Sequence, residues 1–182
     1  MATKATERAH VYLAHGASGN AASMLPHVEG LHRRGIDATA VQLPKRKAEA
    51  AVEAYLSQIN GGRPLVVGGH SFGGRVASLL VASHPKLEGR RRIAGLVLFS
   101  YPLHRPGAPD LEARSAIFAE IDCPTLFLSG EADPFARIDL LREAVTRLPD
   151  GVLITYPKLG HGLLPVLDDA LDHVARFVDR LR

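Results

Sequence analysis

The sequence is poor in the features that crosslink a small protein or carry it across a membrane. Its 182 residues include one cysteine, Cys123, and no tryptophan, so an intrachain disulfide is excluded. The N-terminal residues lack the apolar run of a secretory signal, and no apolar stretch approaches the length of a membrane span. These absences predict a cytoplasmic protein without a membrane partner.

Charge of neither sign dominates the composition. The chain has 22 lysines and arginines against 19 aspartates and glutamates, a formal net charge of +3. Basic residues cluster at positions 45–47 and 90–92, but no aromatic platform or recognition motif accompanies them, so no nucleic-acid partner is expected. The length and the 46% hydrophobic content suit one globular domain over residues 1–182.

Glycine, by contrast, is plentiful, and it frames the most informative motif. The pentapeptide Gly69-His70-Ser71-Phe72-Gly73 fits the pattern Gly-x-Ser-x-Gly. A β-favouring run precedes it and a helical pattern follows, so Ser71 is predicted on a sharp strand-to-helix turn with its Oγ exposed as a nucleophile. His70 is expected to face away from the chemistry. The alternative is a glycine-rich turn that binds phosphate or only packs.

A serine nucleophile needs a general base, and the base needs an acid to orient it. Asp133 and His161 each follow an apolar, strand-like run, so both are expected at the edge where an open parallel sheet builds its site. His161, between two glycines, is the predicted base. Asp133 is the favoured acid because it lies deeper in its loop, and Glu131 is the alternative.

An acyl-transfer enzyme also needs two N–H donors aimed at the oxygen of its tetrahedral intermediate. Phe72, directly after the nucleophile, is expected to supply one of these donors. Ala17, in the loop after the first predicted strand, is the natural candidate for the other. His15 in the same loop is expected to brace it through hydrogen bonds.

Six strand-like runs alternate with helical patterns along the chain. The strands are predicted at residues 10–15, 37–42, 64–69, 93–99, 124–129 and 152–156. Helix-length connections between strands imply right-handed crossovers and a parallel sheet covered on both faces. The predicted fold class is therefore α/β, with about six parallel strands.

Four motifs, in this order, resemble those of the α/β-hydrolase superfamily: His15-Gly16, Gly69-His70-Ser71-Phe72-Gly73, Gly130-Glu131-Ala132-Asp133 and Gly160-His161-Gly162. The sequence looks most like the small, capless group related to dienelactone hydrolases. It looks especially like the testis-expressed hydrolase-like branch of that group, from the segment Ser100-Tyr101-Pro102-Leu103-His104 and the region Ser129-Gly130-x-x-Asp133. The resemblance implies a minimal α/β-hydrolase fold, and residues 101–123 are too short a connection for a cap domain. Dienelactone hydrolases use a cysteine nucleophile, so Ser71 argues against a dienelactone substrate.

The leading hypothesis is a serine hydrolase that cleaves small acyl esters or thioesters without a metal or organic cofactor. Tyr101, Pro102, Leu103 and His104 follow the fourth strand at the catalytic edge and are predicted to wall the substrate pocket, with a plain packing turn as the alternative. Two other functions stay open, namely a catalytically idle interaction domain and a peptidase. A peptidase needs pockets for an extended chain, and the sequence has no added module to supply them.

Overall fold

The computed structural model describes residues 8–60, 63–84 and 93–181. The basic cluster at 90–92 and the N-terminal residues 1–7, which entered the sequence predictions, lie outside these ranges. Within them, strands and helices alternate along the chain as predicted. No helix in these ranges is long and apolar enough to cross a bilayer.

The strands form one sheet in which every neighbouring pair is parallel, in the order β2-β1-β3-β4-β5-β6. Their bounds are β1 (His10–Ala14), β2 (Ala38–Val41), β3 (Leu65–His70), β4 (Ile93–Phe99), β5 (Thr125–Gly130) and β6 (Gly151–Tyr156). The predicted six-stranded parallel sheet is therefore confirmed.

The helices occupy the segments between the strands, where apolar residues recur with helical spacing. Their bounds are α1 (Leu25–Arg33), α2 (Ala48–Leu56), α3 (Phe72–Ser83), α4 (Glu112–Ser115), α5 (Ile138–Val145) and α6 (Leu167–Arg180). The apolar stripe of α2 continues to Ile59, but the helix ends earlier because the Ile59 N–H bonds to the Leu56 carbonyl at 3.1 Å and tightens the chain into a turn.

Helices cover both faces of the sheet. On one face α2, α3 and α5 pack against strand residues such as Val67 and Leu98. On the other face α1 and α6 pack against strand residues such as Val66 and Val97. Adjacent strand residues point to opposite faces, so near-continuous apolar strands bury side chains in two layers, as parallel sheets require. This burial is the main stabilising contribution to the fold.

One buried tyrosine joins α2 to the strand that precedes the motif serine. The Tyr55 hydroxyl accepts a hydrogen bond from the Gly68 N–H at 2.9 Å and lies 2.7 Å from the Tyr12 carbonyl oxygen. Complete burial raises the pKa of this phenol, so it stays a neutral donor and acceptor. The contact fixes α2 against β1 and β3 at their centre.

The connection between β4 and β5 contains only α4 and a 3-10 helix, Ala116–Glu120. No cap domain is inserted in this connection, as the sequence predicts. Because all strands run in parallel, the loops that follow β1, β3, β4, β5 and β6 meet at the same edge of the sheet. The residues singled out by the sequence lie in these loops.

Candidate active site

Ser71 lies on the turn between β3 and α3 with strained backbone angles, φ 51° and ψ −113°. A positive φ is costly for a residue with a Cβ and is typical of functional turns. Two glycines make the turn possible, because a Cβ at Gly69 would lie 2.4 Å from the Ala14 carbonyl oxygen and one at Gly73 would lie 2.2 Å from it. With β1 packed this closely, the turn directs the Ser71 hydroxyl out of the fold.

The imidazole of His161, in the loop after β6, bridges Ser71 and Asp133. Its Nδ1 lies 2.8 Å from Asp133 Oδ2, and its Nε2 lies 2.7 Å from Ser71 Oγ. An ionised carboxylate only accepts hydrogen bonds, so Nδ1 carries the ring proton and Nε2 accepts from the Ser71 hydroxyl. In this tautomer the ring is able to take the hydroxyl proton.

Asp133 divides its two carboxylate oxygens between two tasks. Its side chain is 0% exposed. Its Oδ1 accepts a hydrogen bond from the Phe135 N–H at 2.8 Å, and its Oδ2 accepts one from His161 Nδ1. Glu131 instead accepts a hydrogen bond from the Thr155 hydroxyl at 2.8 Å. The structure thus brings Asp133, and not Glu131, to the imidazole.

Two aromatic rings that the sequence analysis missed flank His161. The ring centroid of Phe135 is 4.5 Å from that of His161, and the centroid of His70 is 5.1 Å from it. His70 Nε2 also donates a hydrogen bond to the His161 carbonyl oxygen at 3.1 Å. The expectation that His70 faces away from the chemistry is therefore wrong. Burial lowers the pKa of His70, which favours a neutral ring.

No local pattern in the sequence signals either contact. The His70 contact depends on how the loop after β6 folds back over the end of β3. The Phe135 contact depends on the turn that Asp133 closes. Both are properties of the assembled sheet edge, which the separate sequence segments do not determine.

His15 braces the loop after β1, as predicted. Its Nδ1 donates to the carbonyl of the next residue at 2.7 Å, and its Nε2 accepts from the Leu43 N–H at 3.0 Å. This loop brings Ala17 to the cleft that also contains Ser71 and Phe72. Phe72 begins α3, so its N–H has no carbonyl partner one turn earlier in the helix.

Ser71 lines a cleft of about 1180 Å³. Phe72, Pro102 and Phe135 supply apolar parts of its lining. The loop that follows β4 and the start of α2 add charged side chains to the lining. The cleft is large enough for a small organic ligand.

Of the four residues predicted to wall the pocket, Pro102 lines this cleft. Tyr101, Leu103 and His104 do not, which corrects the prediction for these three. Tyr101 and Leu103 are 0% exposed and His104 is 3% exposed. Tyr101 packs edge-on against Phe127 with ring centroids 6.0 Å apart. The chain turns after β4 so that Pro102 faces the cleft while its neighbours enter the core.

His104 supports the loop that carries Asp133. Its backbone N–H donates to the Phe135 carbonyl at 3.0 Å, and its Nε2 accepts from the Arg137 N–H at 2.9 Å. Since Nε2 accepts, the ring proton is on Nδ1, which donates to the Arg105 carbonyl at 2.8 Å. The residue predicted to bind substrate therefore orders the acid loop from behind.

The described residues include no group of three or more histidines, cysteines, aspartates or glutamates that could hold a metal ion. Cys123 is buried, and burial raises the pKa of its thiol to about 12. Such a thiol stays protonated and is a poor nucleophile. Cys123 also precedes β5, so it lies at the edge of the sheet opposite Ser71.

A strained serine between a parallel strand and a helix, with a histidine and an aspartate in loops after later strands, defines the α/β-hydrolase class. The sequence profile of the family described as "Alpha/beta hydrolase domain" matches residues 40–173, and the chain belongs to this family. The matched region contains Ser71, Asp133 and His161, whereas Ala17 precedes it.

Solved structures of hydrolases share this fold. A monoacylglycerol lipase from Paleococcus ferrophilus is similar with a TM-score of 0.80 at 16% identity, covering 95% of each chain. Est1E from Butyrivibrio proteoclasticus, solved with ferulic acid bound, has a TM-score of 0.75 at 14% identity, covering 98% of this chain and 91% of the other. A predicted CIB-like hydrolase from Thermoplasma acidophilum has a TM-score of 0.67 at 20% identity, covering 100% and 89%. At these identities the similarity establishes the fold alone.

Proposed function

We propose that this protein is a serine hydrolase that cleaves small acyl esters or thioesters through Ser71, His161 and Asp133. The observation that carries the proposal is the bridging position of His161, with its two ring nitrogens 2.8 Å from Asp133 Oδ2 and 2.7 Å from Ser71 Oγ. A hydroxyl becomes a competent nucleophile when a positioned base removes its proton. Membership of the α/β-hydrolase family supports hydrolytic activity.

In the first half of the reaction, Ser71 Oγ attacks the carbonyl carbon of the substrate while His161 Nε2 takes the hydroxyl proton. Asp133 holds the ring in the required tautomer and stabilises its charged form. The backbone N–H groups of Phe72 and Ala17 donate to the developing oxyanion. His161 then protonates the departing alcohol or thiol, and the acyl group remains on Ser71.

In the second half, water replaces the departed alcohol or thiol. His161 removes a proton from the water as its oxygen attacks the acyl carbon, and the ring returns that proton to Ser71 Oγ when the ester bond breaks. The products are a carboxylic acid and the free enzyme. His161 carries each proton that moves, so the proposed mechanism requires no metal or organic cofactor.

Within the family we assign the chain to the dienelactone-hydrolase-like group and its testis-expressed hydrolase-like branch. The support is the segment Ser100-Tyr101-Pro102-Leu103-His104 together with the loop that ends in Asp133. The serine at position 71 distinguishes the chain from dienelactone hydrolases proper, whose nucleophile is a cysteine. The assignment implies a small-molecule substrate.

A fluorophosphonate probe tests the proposal, because it reacts with an activated serine and not with an ordinary one. Intact-protein mass spectrometry should show one phosphonyl adduct on the wild-type chain and none on Ser71→Ala. Ser129→Ala is a matched control: its serine is also at the sheet edge but is buried, and the adduct should persist. A catalytically idle domain would stay unlabelled.

A further inference from the structure

Basic side chains gather in the cleft beside the nucleophile. Its lining contains four cations, Lys47, Arg75, Arg105 and Arg114, and three carboxylates, Glu49, Asp110 and Glu112. Whether this set attracts an anion depends on which charges are already neutralised inside the protein. Each of the three carboxylates already has a partner, whereas among the described residues one of the four cations, Arg75, pairs with a carboxylate.

Each carboxylate already has a partner. Glu49 pairs with Arg75 at 3.1 Å. Asp110 Oδ1 accepts hydrogen bonds at 2.9 Å and 3.1 Å from the first N–H groups of α4. Glu112 pairs with Arg147, which does not line the cleft. Arg147, which lies outside the cleft, therefore neutralises one of the three carboxylates. The charged side chains of the cleft are left with an excess of positive charge.

Of the cleft cations without an ion pair among the described residues, Arg114 is partly buried, whereas Lys47 and Arg105 are exposed. Its Nη1 donates to the Pro102 carbonyl oxygen at 2.8 Å, and within the described ranges its guanidinium forms no ion pair with a carboxylate. Burial lowers the pKa of Arg114, and the neighbouring charges of Arg75 and Arg105 lower it further. Like charges held together in a partly buried position cost stability, and such arrangements are typical of functional sites.

The fold supports Arg114 from behind. The hydroxyl of the buried Tyr101 donates to the Arg114 main-chain carbonyl at 2.8 Å, and the Arg114 side chain returns to Pro102, the next residue after Tyr101. These two hydrogen bonds restrain both the main chain and the side chain of Arg114. A cation that only faces solvent does not require such restraint. The guanidinium is thus held at a fixed place in the cleft that Ser71 also lines.

We infer that the substrate cleaved at Ser71 carries an anionic oxygen group, a carboxylate or a phosphate, which Arg114 binds with help from Arg75 and Arg105. The inference rests on the proposed hydrolase function and adds the charge of the substrate to it. Guanidinium groups match the planar geometry of carboxylate and phosphate oxygens and form paired, charge-assisted hydrogen bonds with them. The anion would relieve the repulsion among the three arginines.

The anionic group has two possible places in the substrate, and matched substrates distinguish them. For the acyl side, the mono-p-nitrophenyl ester of glutaric acid is compared with the same ester whose distal carboxyl is methylated. For the leaving-group side, butyryl-CoA is compared with butyryl-N-acetylcysteamine, a neutral thioester. In one of the two comparisons the charged substrate should have a kcat/KM about tenfold higher or more, as expected for a charge-assisted hydrogen bond.

Substitutions in the cleft identify the residues that cause the preference. Arg114→Gln should abolish most of it, and Arg114→Lys should keep part because the charge remains without the planar fork. Arg105→Gln should also reduce the preference for the charged substrate. Because the Arg105 side chain is exposed, this substitution should not disturb folding. Arg142→Gln removes a charge that pairs with Glu131 outside the cleft and should leave the preference unchanged.

The outcomes separate this inference from the function on which it rests. Equal kcat/KM for charged and neutral members in both comparisons would overturn the anionic substrate while leaving the hydrolase proposal intact. A preference that survives unchanged in both Arg114→Gln and Arg105→Gln would also overturn it. Absence of Ser71-dependent turnover on every substrate, together with no fluorophosphonate adduct, would instead contradict the hydrolase.

Discussion

His70 and His161 are joined by a hydrogen bond from the ring Nε2 of the first to the main-chain carbonyl oxygen of the second, over 3.1 Å. The residue directly before the nucleophile therefore holds the loop that presents the base. Its ring lies beside the imidazole that contacts Ser71. The nucleophile turn and the histidine loop are thus positioned relative to each other by a contact that does not involve the substrate.

This contact predicts that His70 is a positioning residue. His70→Ala should lower kcat on p-nitrophenyl butyrate by ten- to a hundredfold, roughly, because a small displacement of a catalytic group costs rate and not affinity. KM should change little, and His70→Gln, which keeps an N–H donor, should recover part of the loss. His84→Ala, near the far end of α3, is the control and should keep the wild-type kcat. An unchanged kcat in His70→Ala would contradict the role.

The two acidic candidates make opposite predictions. Asp133→Asn should keep the fold but favour the wrong imidazole tautomer, with a loss in kcat on the order of 10⁴ by analogy with serine proteases. Glu131→Gln should be mild, because the amide can still bind the Thr155 hydroxyl. Steady-state kinetics of both variants decide between them, and a reversed pattern would make Glu131 the acid.

The open, partly charged cleft predicts a preference for short acyl chains. Each methylene contributes about 0.8 kcal/mol only where a wall covers it, and the connection after β4 supplies no cap. Among neutral p-nitrophenyl esters, kcat/KM should therefore stop rising after a few carbons, with acetyl to butyryl esters best. A steady rise to long chains, or a jump above the micellar concentration, would point to a covered acyl groove.

Burial of His27 predicts that stability falls in mild acid. Burial, with a smaller contribution from the charge of His70, lowers the pKa of His27 to about 4. Below its ordinary pKa of about 6.5 the unfolded chain binds a proton that the folded chain does not. Stability from this group is thus complete above that value and is lost as the pH falls towards 4. The lowered pKa of His70 acts in the same direction.

Urea unfolding measures this loss. Between about pH 7.5 and about pH 5 the free energy of unfolding should fall by roughly 2 kcal/mol on account of His27. In the wild-type protein the His27 ring packs edge-on against Phe99, with ring centroids 5.0 Å apart. In His27→Leu the free energy of unfolding should fall by roughly 2 kcal/mol less over the same pH range. An equal fall in both proteins would show that His27 does not titrate on unfolding.

The sheet was predictable from the sequence because parallel strands buried on both faces are continuous apolar runs. The run at 64–69 became β3 (Leu65–His70), and the run at 124–129 became β5 (Thr125–Gly130). The residues of the candidate triad were predictable as well, since each follows one of these runs at the same edge. Chain order and strand position suffice to bring them together.

The direction of side chains in the loops was not predictable. Tyr101 and Leu103 follow β4 at the right edge, but the turn after the strand buries both and exposes Pro102 to the cleft. Arg114 and Phe135 reach the site from segments whose course depends on packing against α3 and on the turn at Asp133. Local sequence determines that these segments are loops, whereas tertiary contacts determine which residues face the cleft.

The central claim is that Ser71 and His161 act as one unit in acyl transfer, and the kinetics of their alanine variants test it most directly. Ser71→Ala and His161→Ala should each lower kcat on p-nitrophenyl butyrate by a factor on the order of 10⁶, as in a well-studied serine protease, and the double variant should be little worse than either. Circular dichroism and thermal unfolding should show that all three remain folded. Turnover at the wild-type rate in either folded single variant would contradict the account.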